Sequence, residues 1–139
     1  MTNTRTSTWA NIGTTLNENN IDDVLVKAGL DYTVTANPLY TTLNDKQIEV
    51  KSNRVIIKDN GDVCGVVSDK YVPMQNKDAF DFIHYINEDI KFVKAGETKT
   101  GLVYVIGELH EMNILGDAFK THLIFQNSHN GKYQLAMSI

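Results

Sequence analysis

The chain has 139 residues, 42% of them hydrophobic and 22% charged, with 13 basic against 17 acidic side chains for a net charge of −4. That is enough for one domain with its own core, and the acidic balance argues against a uniformly basic nucleic-acid binder while leaving room for one basic face. No apolar run approaches the ~18 residues of a membrane helix, and the polar start Met1 to Thr8 lacks the apolar stretch of a secretory signal. Cys64, the single cysteine, excludes an intramolecular disulfide and fits a cytoplasmic protein.

In chain order, residues 1–20 read as an irregular arm pinned by Trp9, with residues 21–139 forming a single domain. A short helix follows Asn20 as N-cap, with Ile21, Val24, Leu25 and Ala28 at helical spacing and Gly29 at its end. The period then falls to two over 31–35 and 39–43, broken at Asn37-Pro38, where proline marks a turn or an edge. Ile48 to Val50 adds a short strand. Residues 53–58 and 63–68 form a hairpin, and Asn60-Gly61 suits a two-residue type I′ turn flanked by Asp59 and Asp62.

A second, longer helix is expected over 76–90, capped by Asn76, with Ala79, Phe82, Ile83, Ile86 and Ile90 as its apolar stripe. Strands follow at 91–95 and 102–109, where Gly107 suggests a bulge or close backbone approach. Residues 119–126 and 132–139 pair through 127–131. The chain ends inside a strand with no turn or polar tail, which points to a domain truncated at its C-terminus.

Most chemistry-bearing residues read as structural. His84, His110, His122 and His129 match no metal-ligand spacing and no cysteine pair accompanies them. Asp59, Asp62 and Asp69 lack calcium-loop spacing, and Gly96 to Gly101 is a polar hairpin tip, not a phosphate loop. No metal, cofactor or catalytic group is expected, and Cys64 reads as a small core residue. Ser128 beside His129 invites a nucleophile–base reading, but adjacent turn residues seldom reach one another and side chains there usually bond their own backbone. What remains is basic and aromatic residues interleaved at Lys70, Tyr71, Lys91, Phe92, Lys94, Lys99, Tyr104 and Lys120. That mixture suits single-stranded nucleic acid, where bases stack on rings and cations meet the backbone; alternatively Phe92 and Tyr104 are core and the lysines solvate edges.

Several motifs stand in a recognisable order: Trp9-x-x-Ile12-Gly13, then Ala28-Gly29-Leu30-Asp31-Tyr32, then the hairpin leading into Gly65-x-Val67-Ser68-x-x-Tyr71-x-Pro73-x-Gln75-Asn76. Ala95-Gly96 and Asn127-Ser128-His129-Asn130-Gly131 follow. In these the chain resembles the phage/plasmid-like protein family, a domain-of-unknown-function family of phages, prophages and plasmids. Family members commonly carry Asp where this chain has Asn130, and they continue into an Arg-Val-Val-Cys-Gln-Asn stretch that is missing here. The resemblance implies a mobile-element setting in a bacterial host cell, without an assigned activity. The order of strands, hairpin and helix also looks loosely like phage single-strand annealing proteins, which is analogy at the level of fold alone.

The expected fold is therefore α+β, a curved and mainly antiparallel sheet with two helices, the longer packed across one face by Phe82, Ile83 and Ile86. The expected function is a non-enzymatic DNA-transaction module that binds or anneals single strands and homo-oligomerises through sheet edges. Lys70, Tyr71, Gln75, Asn76, Lys94 and Lys99 are its candidate contacts, with Gln75 and Asn76 bonding backbone at the helix start. Two alternatives remain: an acidic protein that inhibits a host factor through Glu49, Asp59, Asp62 and Asp69, and an enzyme fragment centred on Ser128 and His129.

Overall fold

The computed structural model describes residues 13–86, 89–109, 112–119, 121–131 and 136–138. Trp9, His110, Lys120 and most of the expected strand 132–139 lie outside them. Among the described residues, ten strands form three antiparallel sheets, and the α+β architecture is as expected. Strand β1 (Thr14–Glu18) opens the described chain and α1 (Ile21–Lys27) follows. Next come β2 (Val34–Leu43), β3 (Lys46–Lys58), β4 (Val63–Ser68) and α2 (Asn76–Ala79), with a 3-10 turn at Asp81–Tyr85. The remaining strands are β5 (Ile90–Glu97), β6 (Leu102–Leu109), β7 (Met112–Ile114), β8 (Asp117–Phe119), β9 (His122–Ser128) and β10 (Ala136–Ser138). The sheets run β1-β5-β6-β9-β10, β2-β3-β4 and β7-β8.

Residues 14–18, expected in an irregular arm, are instead the edge strand of the largest sheet, paired to β5 at Thr14↔Ala95 and Thr15↔Lys94. Helix α1 starts as its sequence dictates: the Asn20 side chain accepts from the Asp22 N–H at 2.8 Å, and Asp22 and Asp23 occupy the first turn. It buries Ile21, Val24 and Leu25 against the five-stranded sheet. There they join Leu16, Leu30, Phe80, Ile83, Phe92, Val103, Val105, Leu123 and Phe125 in the main core. Phe92 and Tyr104 are fully buried, so neither ring is open to a stacked base.

The helix expected over 76–90 is broken. One α-turn covers Asn76–Ala79, Phe80 takes a non-helical conformation, a 3-10 turn follows, and Ile90 already opens β5. Residues 80–87 are Phe, Asp, Phe, Ile, His, Tyr, Ile and Asn. These aromatic, β-branched and short polar types all lose helix propensity, so an apolar period near 3.6 had no backbone preference behind it. Phe80 supplies the burial assigned to Phe82, which remains 38% exposed though its ring meets Phe125 edge-on.

The second sheet also departs from expectation. Asn37-Pro38 does not end a strand; β2 runs through it with a register shift between Pro38 and Tyr40, and β2 is an edge strand, where proline's missing N–H costs little. The two-residue turn is at Asn44-Asp45, both at positive φ, not at Asn60-Gly61. The latter belongs to a three-residue tip. The Lys58 N–H bonds the Asp62 carbonyl, the Gly61 N–H bonds the Lys58 carbonyl, and Gly61 alone is left-handed. The tip at 98–102 is built the same way, with Thr98 N–H to Leu102 O, Gly101 N–H to Thr98 O and Gly101 left-handed. Opposite Gly107, where a Cβ would sit 2.5 Å from Ile90, the facing strand β5 carries a register shift between Phe92 and Lys94.

Candidate functional site

The segment Ser68 to Asn76 carries the chain from one sheet to the other, and its two amides fasten that crossing. Gln75 lies alongside Val34, accepting from its N–H at 2.9 Å and donating to its carbonyl at 2.8 Å, as a neighbouring strand would. Asn76, only 1% exposed, donates through Nδ2 to the Leu30 carbonyl at 2.9 Å. Both groups bond backbone of the 30–34 segment, not the helix start. The helix takes Gln75 as its N-cap position with no side-chain cap bond.

The Leu30 bond fixes which end of Asn76 faces the other way. Its Oδ1 receives Asn127 Nδ2 at 3.1 Å and lies 2.8 Å from His129 Nε2. An amide oxygen only accepts, so His129 Nε2 carries the proton and the neutral ring keeps a bare lone pair at Nδ1. Burial pushes the imidazole below its ordinary value of 6.5, which keeps it neutral at pH 7. His129 is 3% exposed and Nδ1 has no hydrogen-bond partner among the described residues. The expectation that side chains of the 127–131 turn bond their own backbone fails at Asn127 and His129: both reach Asn76, and Asn127 also donates to the Met74 carbonyl at 3.1 Å.

Against the His129 ring stands Tyr32, edge-on at 5.7 Å. Its hydroxyl donates to Glu97, and Lys58 bonds the same carboxylate at 3.0 and 3.2 Å while lying 4.3 Å over the Tyr32 ring. Burial, and then the bond to Glu97, raise the Tyr32 hydroxyl far above its usual range, so it stays protonated. The groups lie at the edge of a cleft of ≈ 720 Å³ between the hairpin tips at 58–62 and 98–102. Its lining includes Lys58, Cys64, Glu97, Lys99, His129 and Asn130. Burial raises the Cys64 thiol, leaving it protonated and a poor nucleophile.

The six candidate nucleic-acid contacts do not converge. Asn76 is spent inside, Gln75 is held by Val34, and the Tyr71 hydroxyl points back at the Ser128 carbonyl at 3.4 Å. Lys94 is half-buried in β5, while Lys70 is exposed just past the end of β4 and Lys99 is exposed in the tip between β5 and β6. The structure does bring Lys70 to two cations that sequence reasoning passed over. Asn53↔Ser68 pairing and the Asp69 N–H to Ser52 carbonyl bond at 3.1 Å set it across from Lys51, and the Arg54 guanidinium reaches back to the Lys51 and Asn53 carbonyls. The four acidic candidates are likewise divided: Asp62 and Asp69 flank the two ends of β4, on the order of 20 Å apart at about 3.3 Å per residue. His84 and His122 are exposed and lie 3.4 Å from Asp22 and Glu108. No cluster of three metal-type ligands occurs among the described residues, nor does a helix long and apolar enough to cross a membrane.

A family model, domain of unknown function DUF932, matches residues 63–139. The chain belongs to that family. The match takes in β4, both tethering amides, Glu97 and the whole 127–131 turn, whereas Tyr32 and Lys58 precede it. No curated protein and no solved structure matches the chain.

Proposed function

We propose that the protein is a phage- or plasmid-encoded, non-enzymatic DNA-transaction module that binds single strands in a bacterial cytoplasm and assembles through its sheet edges. The observation that carries this reading is the ribbon formed by β2 and β3 beyond the bulge at Pro38. Residues 41–49 are exposed without exception. Lys46, Lys51 and Arg54 stand on β3 against Asp45 and Glu49, and Lys70 joins them at the base beside Asp69, which leaves a small local excess of cations on an acidic chain. Tyr40, 48% exposed, adds a ring on which a base can stack. The resemblance at 65–76 supplies the mobile-element setting. Edge strands β2 and β4 offer unpaired backbone for self-association.

Fluorescence anisotropy with a labelled oligonucleotide, at low and moderate salt, tests the reading. Binding should weaken with salt, and Lys51→Glu with Lys70→Glu should flatten the slope by roughly 0.7 for each phosphate no longer neutralised. No binding at tens of micromolar in low salt retires it. The acidic-inhibitor alternative loses support from the division of its carboxylates. An enzyme or ligand-binding reading gains support from one observation, the buried and neutral His129 beside a cleft.

A further inference from the structure

We infer that the cleft between the two hairpin tips takes a single nucleobase, carried either by a free nucleotide or by a strand. The inference shares a ligand class with the DNA reading but uses none of the ribbon residues, so each can fail without the other.

The cleft is a built site. Its ≈ 720 Å³ falls within the roughly 300–1,000 Å³ of small-molecule pockets. Asn130 packs where a Cβ on Gly101 would come 2.5 Å from its Nδ2 and one on Gly65 would come 3.0 Å from its Cβ, and its Nδ2 bonds the Thr100 carbonyl at 2.7 Å. Glycine at both positions lets the two tips close on that side chain.

Charge narrows the ligand. Lys58 and Lys99 face Asp62 and Glu97 in the lining, so the cleft is balanced and ill suited to a polyphosphate. A neutral heterocycle with its own donors and acceptors suits it better, with Lys99 at the tip placed for one phosphate. The fixed acceptors narrow it further. His129, in the lining, offers a buried Nδ1 without a partner among the described residues, and the Glu97 carboxylate, bonded by Tyr32 and Lys58, keeps acceptor sites beyond those two. A base with adjacent N–H donors satisfies both: guanine presents N1–H and the N2 amino group, whereas thymine presents N3–H alone. The Asn76 tether holds the imidazole in the accepting tautomer before any ligand arrives, so the tautomer need not change on binding.

The test is a nitrogen-15 NMR titration of the full chain, labelled at histidine, with dGMP, dAMP, dCMP and dTMP in turn and then with a short guanine-rich oligonucleotide. Guanine should shift the His129 Nδ1 resonance most and thymine least. His129→Phe, which keeps the ring volume but removes the acceptor, should weaken dGMP about tenfold, the worth of one hydrogen bond. If that variant fails to fold, the wild-type resonance still decides. A shift with the mononucleotide assigns the site to a free nucleotide, and a shift with the oligonucleotide alone assigns it to a strand. An Nδ1 signal unmoved by either at millimolar concentration overturns the inference, as does equal binding by a folded His129→Phe.

Discussion

Strand β3 passes through two environments, and isoleucine occurs in both. At its C-terminal end Val55, Ile56, Ile57 and Lys58 are covered: Ile56 is fully buried with Val34 and Val67, and even Lys58 is held by Glu97 and Tyr32. At its N-terminal end Ile48 and Glu49 are open on the ribbon, although Ile48 is the same β-branched type as Ile56 and Ile57. The difference is what lies across from each end. The covered end faces the β5–β6 tip and the Asn76–Asn127–His129 cluster, while β4 stops short of the open end at Asn53↔Ser68. A strand's sequence thus sets its capacity to pair, and neighbours brought from far along the chain set which part becomes structural and which stays available for contact.

Removing the tether should sharpen that contrast most. Asn76→Ala strands the Leu30 carbonyl and His129 Nε2 in a dry site and leaves Asn127 Nδ2 only its bond to Met74. Unsatisfied buried groups cost about 1–3 kcal/mol each, so with partial relaxation the destabilisation should reach about 4 kcal/mol in denaturant unfolding. A change below about 1 kcal/mol would mean that water already serves these groups. Gly96→Ala comes next. Its Cβ would fall 2.6 Å from Gly13 Cα and 3.0 Å from the Tyr104 hydroxyl. Backbone cannot yield as a flexible side-chain end can, and overpacking of this kind costs roughly 1–3 kcal/mol.

Proton linkage gives a gentler probe of the same junction. Burial depresses the His129 pKa from 6.5 in the folded chain, so below that value the unfolded state binds a proton that the native state refuses. The stability tied to this group is complete above 6.5. It declines as pH falls from there toward the folded pKa, by at most about 1.4 kcal/mol per pH unit. Unfolding midpoints between pH 7 and 5.5 should show the slope in the wild type and lose it in His129→Phe. An identical slope in both would assign it elsewhere.

How far the sequence discloses all this follows from range. The 53–68 hairpin is legible because its pattern and its turn signal lie within sixteen residues of each other, though whether the turn holds two residues or three depends on register beyond its tip. The Asn44-Asp45 turn was equally legible, since Asn and Asp tolerate the left-handed region better than other side chains. Reading Pro38 as a break concealed the ribbon that continues past it. The 76–90 period misleads because burial of Phe80 and Ile83 is satisfied by two short turns as well as by one helix. The site itself is the least legible part. Asn76 and His129 are 53 positions apart, and no local pattern distinguishes an amide that caps a helix from one that orients a distant imidazole.

The smallest expected effect is at the open end, and it bears directly on function. Leu43, 60% exposed, and Ile48, 45% exposed, have no covering layer. Across the hairpin, Thr41↔Ile48 and Leu43↔Lys46 pairing places both side chains on one face, because directly paired residues share a face and positions two apart repeat it. Replacing both with Thr keeps strand propensity and removes apolar surface that the monomer never buries. Unfolding free energy should therefore change by no more than about 0.5 kcal/mol, while sedimentation and oligonucleotide anisotropy report any weakening of assembly or DNA binding. A drop of 2 kcal/mol or more that varies with protein concentration would show this face already buried between copies. The same drop at every concentration would show the ribbon folded back on its own domain, and the division of β3 into a structural end and a contact end would fail.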